Sequence, residues 1–263
     1  MKTPSIYRKV CRTAAQAAKE RAILRVLQAS PLQHLSPHLT EMQTDPLIVE
    51  MSYMLGSAPT SDQLGYHVLE QLGGVLRSLH HLRPCTAFGS FDAALDVPLG
   101  YATFGDFLEM QIRKWSEWHA PMPDSYLSAY VSWLWRGYDA LRDYFRSVDP
   151  LFCHGDVDTK NLVLQGGELT GLFDWEHAGA YCLAWELRKF PRVIGHDWQW
   201  HQLFSAYSNP NQLDQRALLA AIHYLNAADL LGHLRWCRRR NLPREEMKTM
   251  YRMHALLNPQ EVN

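Results

Sequence analysis

Glycine is missing from the first 55 residues of this 263-residue sequence, and the first one met is Gly56. Only eight residues precede Lys9, which at about 3.3 Å each make one strand and not a hairpin. A glycine-rich turn able to cradle a phosphate is therefore absent ahead of that lysine. A charge bias is missing as well: 26 Lys and Arg against 27 Asp and Glu leave a formal net charge of -1. That removes the bulk electrostatic case for a nucleic acid or an anionic membrane as partner. No stretch approaches the roughly 20 apolar residues of a membrane span, and residues 1–12 lack the apolar core of a signal peptide. Cysteine is scarce, odd in number and scattered, at Cys11, Cys85, Cys153, Cys182 and Cys237. Such spacing predicts unbridged thiols in a reducing compartment, and so a cytoplasmic protein. Repeats and Gly/Ser linkers are absent too, which argues against a string of independent domains.

What is present reads as a small mixed segment followed by a larger helical one. Ile6–Val10 predicts a strand and Ala14–Gln28 a helix, with Thr13 as its cap and Gln16 placed to close a capping box. Ala15, Ala18, Ala22, Ile23, Val26 and Leu27 give that helix an apolar stripe, and Lys19, Glu20, Arg21 and Arg25 its polar side. Strands are expected over 39–43 and 47–54, ended by Gly56 and Pro59. Val68, Leu69, Leu72, Val75, Leu76 and Leu79 then recur at helical spacing over 65–81. The change of character places a boundary near Gly56, between segments 1–55 and 56–263. Further helices are expected over 104–118, 124–146 and most of 212–257. Short strands are expected at 151–152, 162–164 and 169–173, with Gly166 and Gly167 turning between the last two.

The chemistry concentrates in His154-Gly155-Asp156-Val157-Asp158-Thr159-Lys160-Asn161 and, past the expected hairpin, in Phe173-Asp174-Trp175-Glu176. Phosphoryl transfer to an alcohol needs a carboxylate beside the acceptor hydroxyl and oxygen ligands for magnesium. Asp156 suits the first task. Asn161, five residues along the same loop, and Asp174, at the end of the next strand, can converge as carboxamide and carboxylate oxygens. Two other chemistries fit poorly. Cys153 adjoins His154, but neighbours on a strand point to opposite faces, so the pair is badly placed for proton transfer. Cys153, His154, His177 and Cys182 lack the short paired spacing of a zinc site.

These motifs resemble the kinase-like fold shared by aminoglycoside phosphotransferases, choline and ethanolamine kinases and thiamine kinases. Members of that family carry His-Gly-Asp with an asparagine five residues after the aspartate, then Asp-Trp or Asp-Trp-Glu. The resemblance spans residues 6–190: Leu76-Arg77-Ser78-Leu79-His80 is similar to the family's Leu-x-x-Leu-His segment, and Leu47 to Gly56 to its adenine-holding strand and hinge. Ile6–Val10 is similar to the strand whose lysine holds the nucleotide phosphates. The resemblance implies an α+β, protein-kinase-like two-lobe fold with an incomplete N-terminal sheet lobe and a larger helical C-terminal lobe. It also implies a phosphotransferase that uses ATP, or GTP, with Mg2+ on a small-molecule alcohol. The implied roles are catalytic base for Asp156, magnesium ligands for Asn161 and Asp174, and phosphate contact for Lys9 paired with Glu20. Glu50 and Ser52 are implied at the nucleotide, and His154, Asp158 and Glu176 in loop support or substrate contact. The run Asp174 to Gly179 looks closer to choline and thiamine kinases than to the average antibiotic kinase. With Asp158, Glu186 and Trp115, Trp118, Trp185, Trp198 and Trp200, it points to a small cationic acceptor such as choline, thiamine or an aminoglycoside.

The sequence departs from the family at three places. Asp158 stands where protein kinases carry a lysine, and Glu186 replaces the expected aspartate as a structural bond. The missing glycine loop leaves open three readings: phosphates held by other groups, a shortened reading frame, or a catalytically silent kinase-like binding or regulatory protein. The oligomeric state is left open too.

Overall fold

A computed structural model describes residues 6–40, 45–119, 125–208 and 213–258. The chain forms two compact units, one from residues 1–102 and 149–215, the other from 103–148 and 216–263.

In the first unit, β1 (Ile6–Val10) pairs antiparallel with β2 (Ile48–Ser52), setting Arg8 opposite Glu50 and Lys9 opposite Val49. Between them runs α1 (Ala14–Gln28), started by the Thr13 hydroxyl, which accepts the Gln16 N–H at 3.1 Å. The Gln16 side chain reaches back one residue further than a capping box requires, accepting the N–H of Arg12 at 3.1 Å. The buried face of α1 differs from the expected stripe, for it comprises Ala17, Lys19, Glu20, Ile23, Leu24 and Leu27. Lys19 and Glu20 turn inward because each meets a partner there: Lys19 Nζ donates to the Ala178 carbonyl at 3.4 Å, and Glu20 receives Lys9. Without such partners their burial would be prohibitive. Of the strand expected over 39–43, the described part forms a single bridge from Leu39 to Met51, and residues 41–44 lie outside the described residues. After β2 the chain turns at Gly56, whose φ is +128°. A Cβ there would sit 2.3 Å from the Leu164 carbonyl oxygen. Next to it Ser57 and Leu164 exchange two main-chain hydrogen bonds, of 3.0 and 2.8 Å.

The helix α2 (Tyr66–His80) buries Val68, Leu69, Leu72, Leu76 and Leu79, the face its spacing predicts. A short β3 (Gly89–Ser90) follows, and then α3 (Phe104–His119), α4 (Ser125–Ala140) and α5 (Arg142–Ser147) of the second unit. The single helix expected over 124–146 is interrupted at Leu141, whose N–H is shared between the carbonyls of Gly137 and Tyr138 at 3.2 and 3.1 Å. Sharing of that kind tightens a helical turn and offsets the next segment.

The chain returns to the first unit with β4 (Leu151–Cys153), the hairpin of β5 (Leu162–Gln165) and β6 (Glu168–Leu172), and β7 (Gly179–Tyr181). Gly166 and Gly167 make the hairpin turn with φ of +63° and +88°. Three strands form a sheet in the order β3-β7-β4. Neither β3 nor β7 is long enough to show alternation, so the sequence pattern does not announce them. Then come α6 (Leu183–Glu186) and α7 (Asp197–Tyr207); the latter lies so close to α2 that a Cβ on Gly73 would meet the Leu203 carbonyl at 2.5 Å. The second unit ends with α8 (Gln215–Arg239) and α9 (Pro243–Leu257), separated at Asn241, whose φ is +52°. Its interior is aromatic: Phe145 packs on Phe104, Tyr138 and Tyr224, and Tyr130 and Tyr224 donate their hydroxyls to the Ala227 and Leu134 carbonyls. Buried phenols of this kind need such acceptors. The architecture is thus α+β, a small N-terminal sheet and helix followed by a mostly helical remainder. No described helix is long and apolar enough to cross a membrane.

Candidate active site

Strand β4 leads into the His154–Asn161 loop. Gly155 holds φ +76°, and a Cβ there would lie 2.2 Å from the His177 carbonyl oxygen. Only glycine fits. The loop's inward N–H groups are taken by Glu186 at the end of α6: one oxygen accepts from His154 at 2.9 Å, the other from Gly155 at 2.7 Å. Burial pushes the Glu186 carboxyl up to about 7, against the pull of those two N–H groups and of Arg188. Arg188 itself donates to the Gly155 and Trp185 carbonyls at 2.9 and 2.8 Å and lies 4.2 Å from the centre of the Trp185 ring. His154 is buried. Its Nε2 donates to the Phe173 carbonyl at 3.0 Å, and its Nδ1 accepts the Asp156 N–H at 3.2 Å. Burial lowers it to about 4, so it is neutral at pH 7, and its ring meets Trp175 edge-on at 4.5 Å. One imidazole thereby joins the Asp156 loop to the residue preceding Asp174.

Asp156 is buried and pinned at both oxygens. Oδ1 is bonded by the Lys189 ammonium, with Arg188 at 4.0 Å; Oδ2 accepts the Asn161 amide at 3.1 Å and faces Lys160 at 3.4 Å. The Asn161 nitrogen also donates to the Asp156 carbonyl at 2.8 Å. Burial alone would raise this carboxyl, yet Lys189, Arg188 and Lys160 together hold it well below the ordinary carboxylate range. Lys189 was not singled out from the sequence. Its one signal there is a pair of adjacent cations just after Glu186. Asp158 caps the short turn Thr159–Asn161, its carbonyl accepting the Asn161 N–H at 2.9 Å and its carboxylate the Thr159 hydroxyl at 3.3 Å.

Asp174 follows β6 in the left-handed region, φ +69° and ψ +63°, a conformation that costs a non-glycine residue about 1–2 kcal/mol. Its Oδ1 lies 2.6 Å from Lys9 Nζ, which also bonds both oxygens of Glu20 at 2.7 and 3.0 Å. Burial would lower the Lys9 ammonium, but the Glu20 charge and the bonds to Asp174 and Glu20 outweigh it and raise it. Glu176 accepts the Gln16 side-chain amide and lies 3.2 Å from His177, whose bond is the main reason its carboxyl is held at about 2. A cleft of about 380 Å³ opens here, with Lys9, Glu20 and Asp174 among its lining at one place and Met51, Ser52, Tyr53, Met54 and Gly56 at another. Ser52 lines it, and its hydroxyl accepts the His38 N–H at 2.9 Å. Glu50 does not line it; that carboxylate pairs with Arg8 at 2.6 Å. The structure thus gathers Lys9, Glu20 and Asp174 in one group and Asp156, Asn161 and Lys189 in another, with His154 between them and Glu50 apart.

The cysteine and zinc chemistries find no support. Cys153 is fully buried, and burial pushes its thiol well above the ordinary range. Among the described residues, the metal-ligating side chains that gather are instead His80, Cys153 and Glu186. His80 is bonded to the Tyr207 hydroxyl at 2.7 Å and Glu186 to the loop.

The sequence profile of the phosphotransferase enzyme family (APH) matches residues 5–221. The chain belongs to this family. No curated protein sequence matches it. Among solved structures, the fold of this phosphotransferase family chain resembles the GDP and kanamycin complex of APH(2")-IIia, with a TM-score of 0.73 at 12% identity over 97% of this chain and 87% of that one. It also resembles a thermostable mutant of aminoglycoside phosphotransferase APH(4)-Ia in ternary complex with AMP-PNP and hygromycin B, TM-score 0.70 at 16% identity, covering 100% and 89%. The macrolide 2'-phosphotransferase MphH from Brachybacterium faecium, as apoenzyme, gives 0.68 at 14%, covering 99% and 86%. At such identities the likeness is one of fold.

Proposed function

We propose that this phosphotransferase family chain moves the γ-phosphoryl group of ATP, or GTP, to the hydroxyl of a small molecule. The observation that carries the reading is the meeting of Lys9, Glu20 and Asp174 in a 380 Å³ cleft that also runs along β2 to Gly56. A cleft of that size suits a nucleotide. Lys9 would face its phosphates and the 51–56 segment its base, with a lobe boundary at Gly56. The donor set fits magnesium: the amide nitrogen of Asn161 is engaged by Asp156, which leaves its carbonyl oxygen, and Asp174 keeps an oxygen beyond Lys9. Hard oxygens of this kind are what the ion takes, and when bound it neutralises phosphate charge. Asp156 accepts the proton of the acceptor hydroxyl, and the pinning of both its oxygens presets its orientation.

For the acceptor, a small cationic alcohol remains the reading, now on narrower support. Glu186 is occupied by loop N–H groups, Trp185 lies against Arg188, Trp198 stacks on Tyr66 at 4.3 Å and Trp200 packs on Phe204. What supports it is Asp158, two residues from Asp156, and the Asp174 to Gly179 resemblance to choline and thiamine kinases. We place the protein in the cytoplasm on its unbridged thiols. The test is nucleotide titration with and without magnesium, followed by transfer from ATP and GTP to choline, ethanolamine, thiamine, aminoglycosides and neutral sugars. Transfer confined to neutral or anionic acceptors would remove the cationic acceptor. A folded protein that binds no nucleotide would overturn the kinase reading in favour of a silent binding protein.

A further inference from the structure

Asp156 is charged, buried and bonded to a cation that the family motif does not contain. The carboxylate side chain is 5% exposed, and the ammonium of Lys189, itself 14% exposed, contacts its Oδ1 from 33 positions further along the chain. The reach is structurally set. Glu186 is anchored to the loop N–H groups, Arg188 to the Gly155 carbonyl, and Lys189 follows directly, so the three consecutive anchor points at 186, 188 and 189 bind the same loop.

We infer that Lys189 is a positioning residue for phosphoryl transfer, holding one oxygen of Asp156 while Asn161 holds the other, so that the carboxylate stays in one orientation. The inference rests on the kinase reading above. In the transfer, the acceptor oxygen bonds to the γ-phosphorus as the bond from that phosphorus to the β,γ-bridging oxygen breaks. The electron pair of that bond leaves with the nucleoside diphosphate, and the hydroxyl proton goes to Asp156. A carboxylate free to rotate could not take that proton in line.

The charged or titratable groups facing Asp156 are Lys189, Arg188, Lys160, His154 and Glu186. Arg188 is engaged by two carbonyls and Lys160 is 60% exposed, so Lys189 is the close and sheltered cation.

The experiment compares the full chain with Lys189→Met and Lys189→Arg, each first checked by thermal melting. A double-mutant cycle with Asp156→Asn reads the contact without any substrate: Lys189→Met lowers Tm in the wild-type background and does so much less in Asp156→Asn, because each change removes the same ion pair. With ATP, magnesium and an active acceptor, Lys189→Met lowers kcat by about a hundredfold, the size of a general-base contribution, with little change in KM for nucleotide. Lys189→Arg recovers most of the rate. Equal losses of Tm in the two backgrounds, or a Lys189→Met rate equal to wild type, overturns the inference. Wild-type protein that transfers nothing to any acceptor sinks the kinase reading instead, and the melting cycle still decides whether Lys189 holds Asp156.

Discussion

Lys9 and Asp174, 165 positions apart in the sequence, meet at 2.6 Å. The contact joins β1 to the end of β6, and Glu20 on α1 completes it. A lysine so held is already desolvated and aimed when phosphates arrive, which reduces the ordering cost of binding them. Lys9→Met should weaken nucleotide binding about tenfold or more, the worth of one charge-assisted hydrogen bond. Asp174→Ala should instead remove most of the magnesium dependence. Calorimetric titration with and without the ion separates the two, and unchanged affinity in Lys9→Met would take Lys9 off the phosphate side.

Asp156→Asn keeps the shape of the side chain and removes the proton acceptor. Transfer should fall by at least about a hundredfold. The fold should survive, since Asn161 still has an acceptor in the Asp156 main-chain carbonyl. Near-normal turnover in a preparation free of contaminating kinase would end the assignment.

Glu186, at the end of α6, and His154, in the loop it binds, respond oppositely to pH. The Glu186 carboxyl, raised from 4.5 to about 7, holds its proton more tightly folded than unfolded. Its contribution to stability is full below about pH 4.5 and is lost as pH rises through 7. His154, lowered from 6.5 to about 4, contributes fully above 6.5 and loses that contribution as pH falls through 4. Glu186→Gln removes the first dependence and keeps the second. The Tm advantage of wild type over Glu186→Gln should therefore shrink as pH rises from 4.5 to 7. A difference constant across that range would show that the loop N–H groups keep the carboxylate ionised throughout.

Gly155 and Gly166 both have positive φ, at +76° and +63°, but only Gly155 is crowded. Gly166→Ala should cost about 1–2 kcal/mol from the left-handed backbone alone. Gly155→Ala adds a clash with the His177 carbonyl and should lose both several degrees of Tm and the transfer activity. Equal melting of the two variants would show that the loop can shift aside.

What the sequence made legible was local or spaced by a fixed rule. The span of α1 and the buried face of α2 followed from capping and from helical periodicity, and the places of Asp156 and Asn161 in one loop and of Asp174 just after the next hairpin from the spacing of the motif. The pairing of Lys9 with Glu20 was legible through the resemblance, since nothing in a helical pattern marks a glutamate as buried. Lys19 was misplaced for the same reason: charge predicts exposure until a distant carbonyl supplies a partner. The break at Leu141 and the two short strands β3 and β7 carry no periodic signal. Lys189 was hidden because the carboxylate it serves lies 33 residues back, across a turn, a hairpin and a short helix.

The two bonds between Ser57 and Leu164 have a consequence for how freely this region can vary. Both are made by main chain, and they fasten the segment after β2 to the hairpin that separates Asn161 from Asp174. Substitution of Ser57 by any residue except proline leaves the fastening untouched, whereas Leu164 is also held by its buried side chain. The constrained position is the neighbour that carries no side chain: at Gly56 a single added methyl group would lie 2.3 Å from the Leu164 carbonyl oxygen and push the segment after β2 away from β5.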